Sequence, residues 1–321
     1  MQNDRRWNRQ SEPLTPEIIH LLRLHPSHLF RWLGAVIFDW SVVVLTFVLA
    51  LKVDRWFGYV ATLFIIGNRQ HAIGILGHDA AHYSVSRSHR LNDFLGNLFC
   101  FWPITASIKG YREFHFKHHR YNGTKLDPEL EHKKEFPPDW DLPARPSKLA
   151  VLVLKDLMGL GWREVLKAIS FFKPVDFIDA IGPAVILSTA LFLLIKHHHI
   201  EVFILWQLAL FTTMWATFRV RIWTEHFGTQ GTHRLWLSWW QRWLIAPHNT
   251  WYHWEHHKYP SVAYPDLPKI RTLDHSESII NLQQLFKYLE EISKIESGKP
   301  LREDLSDQPY QPHPSSLRPA A

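Results

Sequence analysis

Four long apolar runs, arranged as two close pairs, limit what this chain of 321 residues can fold into. A helix needs about 20 mostly apolar residues to cross a bilayer. Residues 32–51 and 56–77 meet that length and are separated only by Lys-Val-Asp-Arg; residues 177–195 and 200–220 repeat the pattern across Lys-His-His-His. The reading is an all-α integral membrane protein whose four transmembrane helices form two hairpins. Asp39 falls inside the first run, and Asn68, Arg69, Gln70 and His71 inside the second. Polar groups at that depth must face protein or water. A shorter apolar stretch, residues 94–108, is broken by Asn97 and Pro103 and reads as a re-entrant or interfacial segment.

The rest of the chain is polar and basic. A net charge of +6 could suggest nucleic acid, but no recognition motif for one occurs, and basic loops between spans account for the charge. Cys100, the single cysteine, allows neither an internal disulfide nor a zinc site built on cysteine pairs. No cleavable signal peptide is expected, because residues 1–31 are polar and interrupted by Pro13, Pro16 and Pro26. The organisation expected is a cytosolic N-terminal segment over 1–31, a membrane domain over 32–275, an amphipathic helix within 276–298 and a disordered tail over 299–321. The amphipathic helix is placed at 281–297, with Ile280, Leu282, Leu285, Phe286, Leu289 and Ile292 on its apolar side and Asn281 and Gln284 as a capping box.

Histidine is the second strong signal. "HDAAH" carries His78 and His82, "HFKHH" carries His115, His118 and His119, and "HWEHH" carries His253, His256 and His257. Residues three and four apart share a helix face, so each cluster aims its imidazoles at one point. "TEHFG" adds His226 beyond the fourth run. One His-x-x-x-His pair is weak evidence; three clusters at the ends of membrane runs are not. Imidazole suits iron, zinc, copper and nickel. Eight or nine ligands exceed the needs of one ion and suit two. Asp79, Glu113, Glu225 and Glu255 adjoin these histidines and are expected to accept their outer N–H groups. Other histidines read differently. Those at 197–199 form a solvated turn, and His71 is expected to hydrogen-bond inside the bundle. His20, His25, His28, His89, His132, His233, His275 and His313 are expected to face solvent, and His248 stays open. Trp102, Trp215, Trp223 and Trp251 are candidates to line a substrate tunnel, against the plainer role of packing.

Topology offers a separate check. With the N-terminus in the cytoplasm, two hairpins return every cluster to the cytoplasmic side. The outer turns then carry only Lys52, Arg55 and Lys196, in keeping with the positive-inside bias.

These residues resemble the membrane fatty acid desaturase superfamily, which includes hydroxylases and ketolases. The three boxes occur in its order, and "HRLNDFLGN", "HHRYNGTKLDPEL" and "EHHKYPSVAYPDLPKI" extend the likeness over residues 60–270. The resemblance implies four spanning helices under a cytosolic helical cap and a non-haem site with two iron ions. It also implies O2 as co-substrate and electrons from a separate ferredoxin or cytochrome b5 type protein. The ligands it implies are His78, His82, His115, His118, His119, His253, His256 and His257, with His226 similar to the extra ligand of some members. His253 departs from the front-end members, which carry Gln there, and no "HPGG" haem motif of a fused cytochrome b5 domain is present. The expected activity is desaturation of a lipid acyl chain. The alternatives are a hydroxylase or ketolase acting on a carotenoid, sphingolipid, alkane or small-molecule chain, and, from another class, a histidine-rich metal transporter.

Overall fold

A computed structural model describes residues 15–141, 144–226 and 232–296. The expected tail from 299, and His313 in it, lie outside the described residues. So do residues 297–298, where the expected amphipathic segment ends.

After a short α1 (Pro16–Leu21), Pro26 opens α2 (Pro26–Val53), which begins before the apolar run does. Its end turns at Asp54, in left-handed backbone (φ 44°), into α3 (Trp56–Ala81). Then come α4 (His89–Gly96), a π turn (Asn97–Phe101) and a 3-10 turn (Trp102–Ile104), followed by α5 (Ile108–Tyr121) and α6 (Pro128–Lys134). Next are α7 (Pro146–Leu157), α8 (Trp162–Phe171) and α9 (Phe177–Lys196). The last long rod joins α10 (Ile200–Ala209), a π turn (Leu210–Met214) and α11 (Trp215–Glu225). The remainder is short: α12 (Trp239–Ile245), α13 (His253–Lys258), α14 (Leu267–Leu273) and α15 (Leu282–Glu296).

Among the described residues, three helical stretches are long and apolar enough to cross a membrane: Pro26–Val53, Phe177–Lys196 and Ile200–Glu225. Helix α3 is not among them, and packing shows why. It is the centre of the bundle, so its polar groups turn inward instead of being absent. Arg69 bonds Asp39 of α2 at 2.7 Å, and Gln70 donates to the Trp206 carbonyl at 2.8 Å. Gly67 lets the rod of α10 and α11 approach closely, since a Cβ there would stand 2.1 Å from Thr213 Oγ1. One turn further on, His71 meets the Phe218 ring edge-on at 6.2 Å. Successive turns of α3 and of α11 therefore meet in the same order, and the two run in the same direction.

Residues 94–108 fold as a largely buried wedge, with Phe94 exposed at its start. Asn97 caps α5 by accepting from the Ile108 N–H at 2.9 Å, and Asp179 of α9 receives Asn97 Nδ2 and Ser107 Oγ. Arg219 of α11 ties Asp156 and Glu164 of α7 and α8 into the rod. Helix α15 has its expected capping box, with Asn281 and Gln284 exchanging bonds of 2.9 Å, and it buries Leu285 and Leu289. Ile280, expected on that helix, instead lies in a short strand β2 (Ile279–Asn281). This pairs in parallel with β1 (Arg234–Trp236), an element the apolar patterning did not announce.

Candidate metal centre

The four elements that carry the boxes bring their ends together. His78 and the capping His82 come from the end of α3; α5 presents His115, His118 and His119; His226 caps α11; α13 presents His253, His256 and His257. All nine histidines singled out in the sequence converge. His78, His82, His115, His119 and His256 form one group; His118, His226 and His257 form a second; Glu225, His226 and His253 overlap it. Within each group the ligand-type atoms lie within 4.8 Å of one another.

The spacing is informative. His115 Nε2 is 2.9 Å from both His82 Nε2 and His119 Nε2, and His119 Nε2 is 3.0 Å from His256 Nε2. In the second group His118 and His226 Nε2 are 3.3 Å apart, and His226 and His253 Nε2 are 2.6 Å apart. Two imidazoles about 2.1 Å from one cation, at a right angle, put their nitrogens about 3.0 Å apart. Each Nε2 holds either a proton or a lone pair, so these atoms cannot all satisfy one another. His78 Nε2 and His257 Nε2 are buried and meet no hydrogen-bond partner among the described residues. A cation at each focus satisfies the whole set. The donors therefore fit metal ions, and they are all nitrogen and carboxylate, which suits iron and zinc without a thiolate.

Most of these imidazoles also favour the neutral form that a ligand needs. Burial, with neighbouring imidazoles adding to it, holds His115, His119, His256 and His257 well below the ordinary imidazole pKa. His118 departs from this. Burial pulls it down, but the carboxylates of Asp127 and Glu129 outweigh that and lift it.

The carboxylates expected to orient the ligands are largely elsewhere. Glu113 is exposed on α5. Asp79 accepts from the Tyr264 N–H at 3.1 Å, and Glu255 is held by Arg271 and Arg234. Glu225 alone stands beside a box histidine, 3.7 Å from His253 Nδ1. The groups that do orient ligands are Asp127, 2.9 Å from His118 Nδ1, then Glu129 at 3.3 Å, and Asn122, 3.3 Å from His257 Nδ1. Asp127 is also the N-cap of α6, accepting the Glu129 N–H at 2.9 Å, and Asp-Pro before a helix was its visible signal.

Other histidines fall into place. His248 Nε2 bonds Asp39 at 2.7 Å, and His248 is not among the grouped ligands. His28 is buried against Asp266 at 2.7 Å, His132 is buried near Glu164, and His233 bonds the Thr224 carbonyl at 2.8 Å, so the expected exposure of these three is wrong. The partners of His28 and His132 are remote in the chain, and that of His233 lies nine residues before it. His20, His25, His89, His275 and His197–His199 are exposed. His71 is buried as expected, but neither ring nitrogen meets a hydrogen-bond partner among the described residues.

An apolar cavity of about 160 Å³ opens on the histidines. His78, His115, His118, His226 and His253 line one part of it, and Ile75, Phe101, Leu210, Met214 and Phe218 are among its apolar walls. Of the four tryptophans considered for a tunnel, only Trp215 lines it; Trp102, Trp223 and Trp251 are buried in packing.

Comparison with known proteins agrees with this geometry. Residues 54–278 match the family model described as fatty acid desaturase. The sn-1 acyl-lipid omega-3 desaturase (ferredoxin) of Synechocystis is 33% identical over 93 residues, 29% of this chain and 26% of that protein. The dihydrorhizobitoxine desaturase of Bradyrhizobium elkanii is 32% identical over 95 residues, 29% of this chain and 27% of the relative. The sn-1 oleoyl-lipid 12-desaturase of Arthrospira platensis is 31% identical over 123 residues, 36% and 33% of the two chains. The aligned stretch thus spans between a quarter and a third of each relative's length. With the family model matched over most of the chain, the protein belongs to the fatty acid desaturase family.

Proposed function

We propose that the protein is an integral membrane desaturase that removes two hydrogens from a lipid acyl chain, using O2 and electrons from a separate donor protein. The observation that carries this reading is the apolar cavity opening on five of the nine converging imidazoles. The relatives named for acyl-lipid desaturation support the substrate class. In this reading α3 is a fourth crossing, shielded by its neighbours, and a helical cap holds the histidines on the cytoplasmic side.

His78, His82, His115, His119 and His256 would hold one iron, and His118, His226, His253 and His257 the other, with Glu225 at hand. Two iron ions, when bound, supply the capacity to reduce O2 and break an unactivated C–H bond. The chain's own residues do the positioning. Ile75, Phe101 and Phe218 confine the hydrocarbon so that one stretch of it faces the imidazoles, and orientation of this kind decides which carbon reacts. The same walls exclude water, which protects a reactive oxidant. Asp127 accepts the His118 Nδ1–H and so leaves Nε2 free to ligate. Phe116, Lys117 and Arg120 are exposed on α5, whose other residues carry the second box, a surface suited to an acidic ferredoxin or cytochrome b5.

Hydroxylation shares the hydrogen-removal step, so the assay must separate the two products. Protein expressed with a donor system and a saturated lipid is expected to give product two hydrogens lighter and to carry two irons. A product heavier by one oxygen would move the assignment to the hydroxylases; metal uptake without any product would move it to transport.

A further inference from the structure

The cavity has a polar end that the desaturation reading does not use. His71 and His78 lie seven residues apart on α3, so they share a stripe and stand roughly 10 Å apart along the axis. On α11, running the same way, Phe218 sits at the level of His71, and Glu225 sits at the level of the histidines. Arg221 lies between them, roughly 6 Å from Glu225 along the helix. His71, Phe218, Arg221 and Glu225 all line the cavity.

Two of these side chains have unused hydrogen-bonding capacity. His71 is 2% exposed, and neither of its ring nitrogens has a partner among the described residues. Arg221 gives only its Nε to Glu225, at 3.0 and 2.9 Å; its four terminal N–H groups bond nothing among the described residues. Phe218, which meets the His71 ring, lies three residues before Arg221 on α11, and all three line the same cavity. Unpaired polar groups in an apolar wall are costly, and a guanidinium fork matches a carboxylate. An esterified lipid chain, with its headgroup at the surface, would bring only its methyl end here and leave every one of these donors unpaired.

We infer that the cavity takes a short chain ending in a carboxylate, which is bound by Arg221 and His71 deeper in the protein than the histidine foci. The reacting carbons then lie roughly 6–10 Å from the carboxylate, the span between Arg221 or His71 and the histidine level. This replaces the esterified lipid of the proposed function with a free short-chain acid and rests on the reading that the cavity is the substrate site.

The test is binding to the purified full-length protein in one non-ionic detergent, with labelled octanoate and octane as probes, independent of turnover. Wild type should retain octanoate in preference to octane. His71→Leu should weaken octanoate about 3- to 10-fold and His71→Gln should restore it, because one hydrogen bond is at stake. Arg221→Lys, which keeps a cation beside Glu225 but loses the fork, should weaken octanoate about 10- to 100-fold. Octane retention should stay constant in all variants and reports that the cavity is intact. If Arg221→Lys also loses octane, the His71 pair decides alone. Octanoate affinity that does not move between His71→Leu and wild type, or that never exceeds that of octane, overturns the inference. Unsaturated acyl lipid formed by His71→Leu at the wild-type rate alongside that result leaves the desaturase reading standing. Carboxylate preference with no oxidised product from any chain would do the reverse.

Discussion

Replacing Asp127 with asparagine isolates the electrostatic part of one ligand's support. Asp127 is 5% exposed, and its Oδ1 accepts both the His118 Nδ1–H and the Glu129 backbone N–H, each at 2.9 Å. Asparagine caps helices as well as aspartate, so α6 should keep its start. What is lost is the negative charge that fixes the His118 tautomer and strengthens its Nε2 as a donor. Removal of such a partner typically lowers metal affinity or activity 10- to 100-fold, which is about 1.4–2.7 kcal/mol. Glu129 Oε2 stands 3.3 Å from the same Nδ1 and can take over part of the role. Asp127→Asn should therefore fall near the tenfold end, and Asp127→Asn with Glu129→Gln near the hundredfold end. The assay is iron retained per chain across a series of competing chelator concentrations, with circular dichroism as the control for folding. Retention curves for both variants that overlay the wild type, with helicity intact, would show that His118 needs no charged partner and that this account of the second group is wrong.

Other outcomes follow from the same geometry. Gly110→Ala would place a Cβ 2.2 Å from the Lys173 carbonyl, and overpacking of this kind should destabilise by about 1–3 kcal/mol, read as a lowered midpoint of thermal unfolding. Gly74 lines the cavity with nothing within 4 Å of where its Cβ would be, so Gly74→Phe should fold normally and shorten the chain accepted, read from product lengths in mixed-substrate assays. Chelation should lower the unfolding midpoint of the iron-loaded protein and re-addition should restore it, since a ligand bound only by the native state stabilises it. Lys117→Glu with Arg120→Glu should slow donor-supported turnover and weaken its dependence on salt, leaving iron content unchanged.

Spacing marked the eight box histidines that converge, because imidazoles three and four apart on a helix share a face, whereas His226 was marked only by its place beyond the fourth run. The apolar runs likewise marked α2, α9 and the rod of α10 and α11. Helix α3 was harder to judge by hydropathy: Arg69 and Gln70 look like interruptions until Asp39 and the Trp206 carbonyl are seen opposite them. The supporting carboxylates were misread for a geometric reason. A residue adjacent to a ligand on a helix points about 100° away from it, so Glu255 beside His256 meets Arg271 instead, while Asp127 arrives from a different element. His28 and His132 were read as exposed because Asp266 and Glu164, their partners, are remote in the chain.

The first group of imidazoles draws on α3, α5 and α13, so its donors are synthesised at very different times. A nascent chain that has threaded its early helices holds only part of a claw, and the closing finger, His256, emerges after the last long rod is made. Under the proposed function, metal loading would then be a final step of biogenesis, and a ribosome stalled short of α13 would release a membrane-inserted protein without a complete first site.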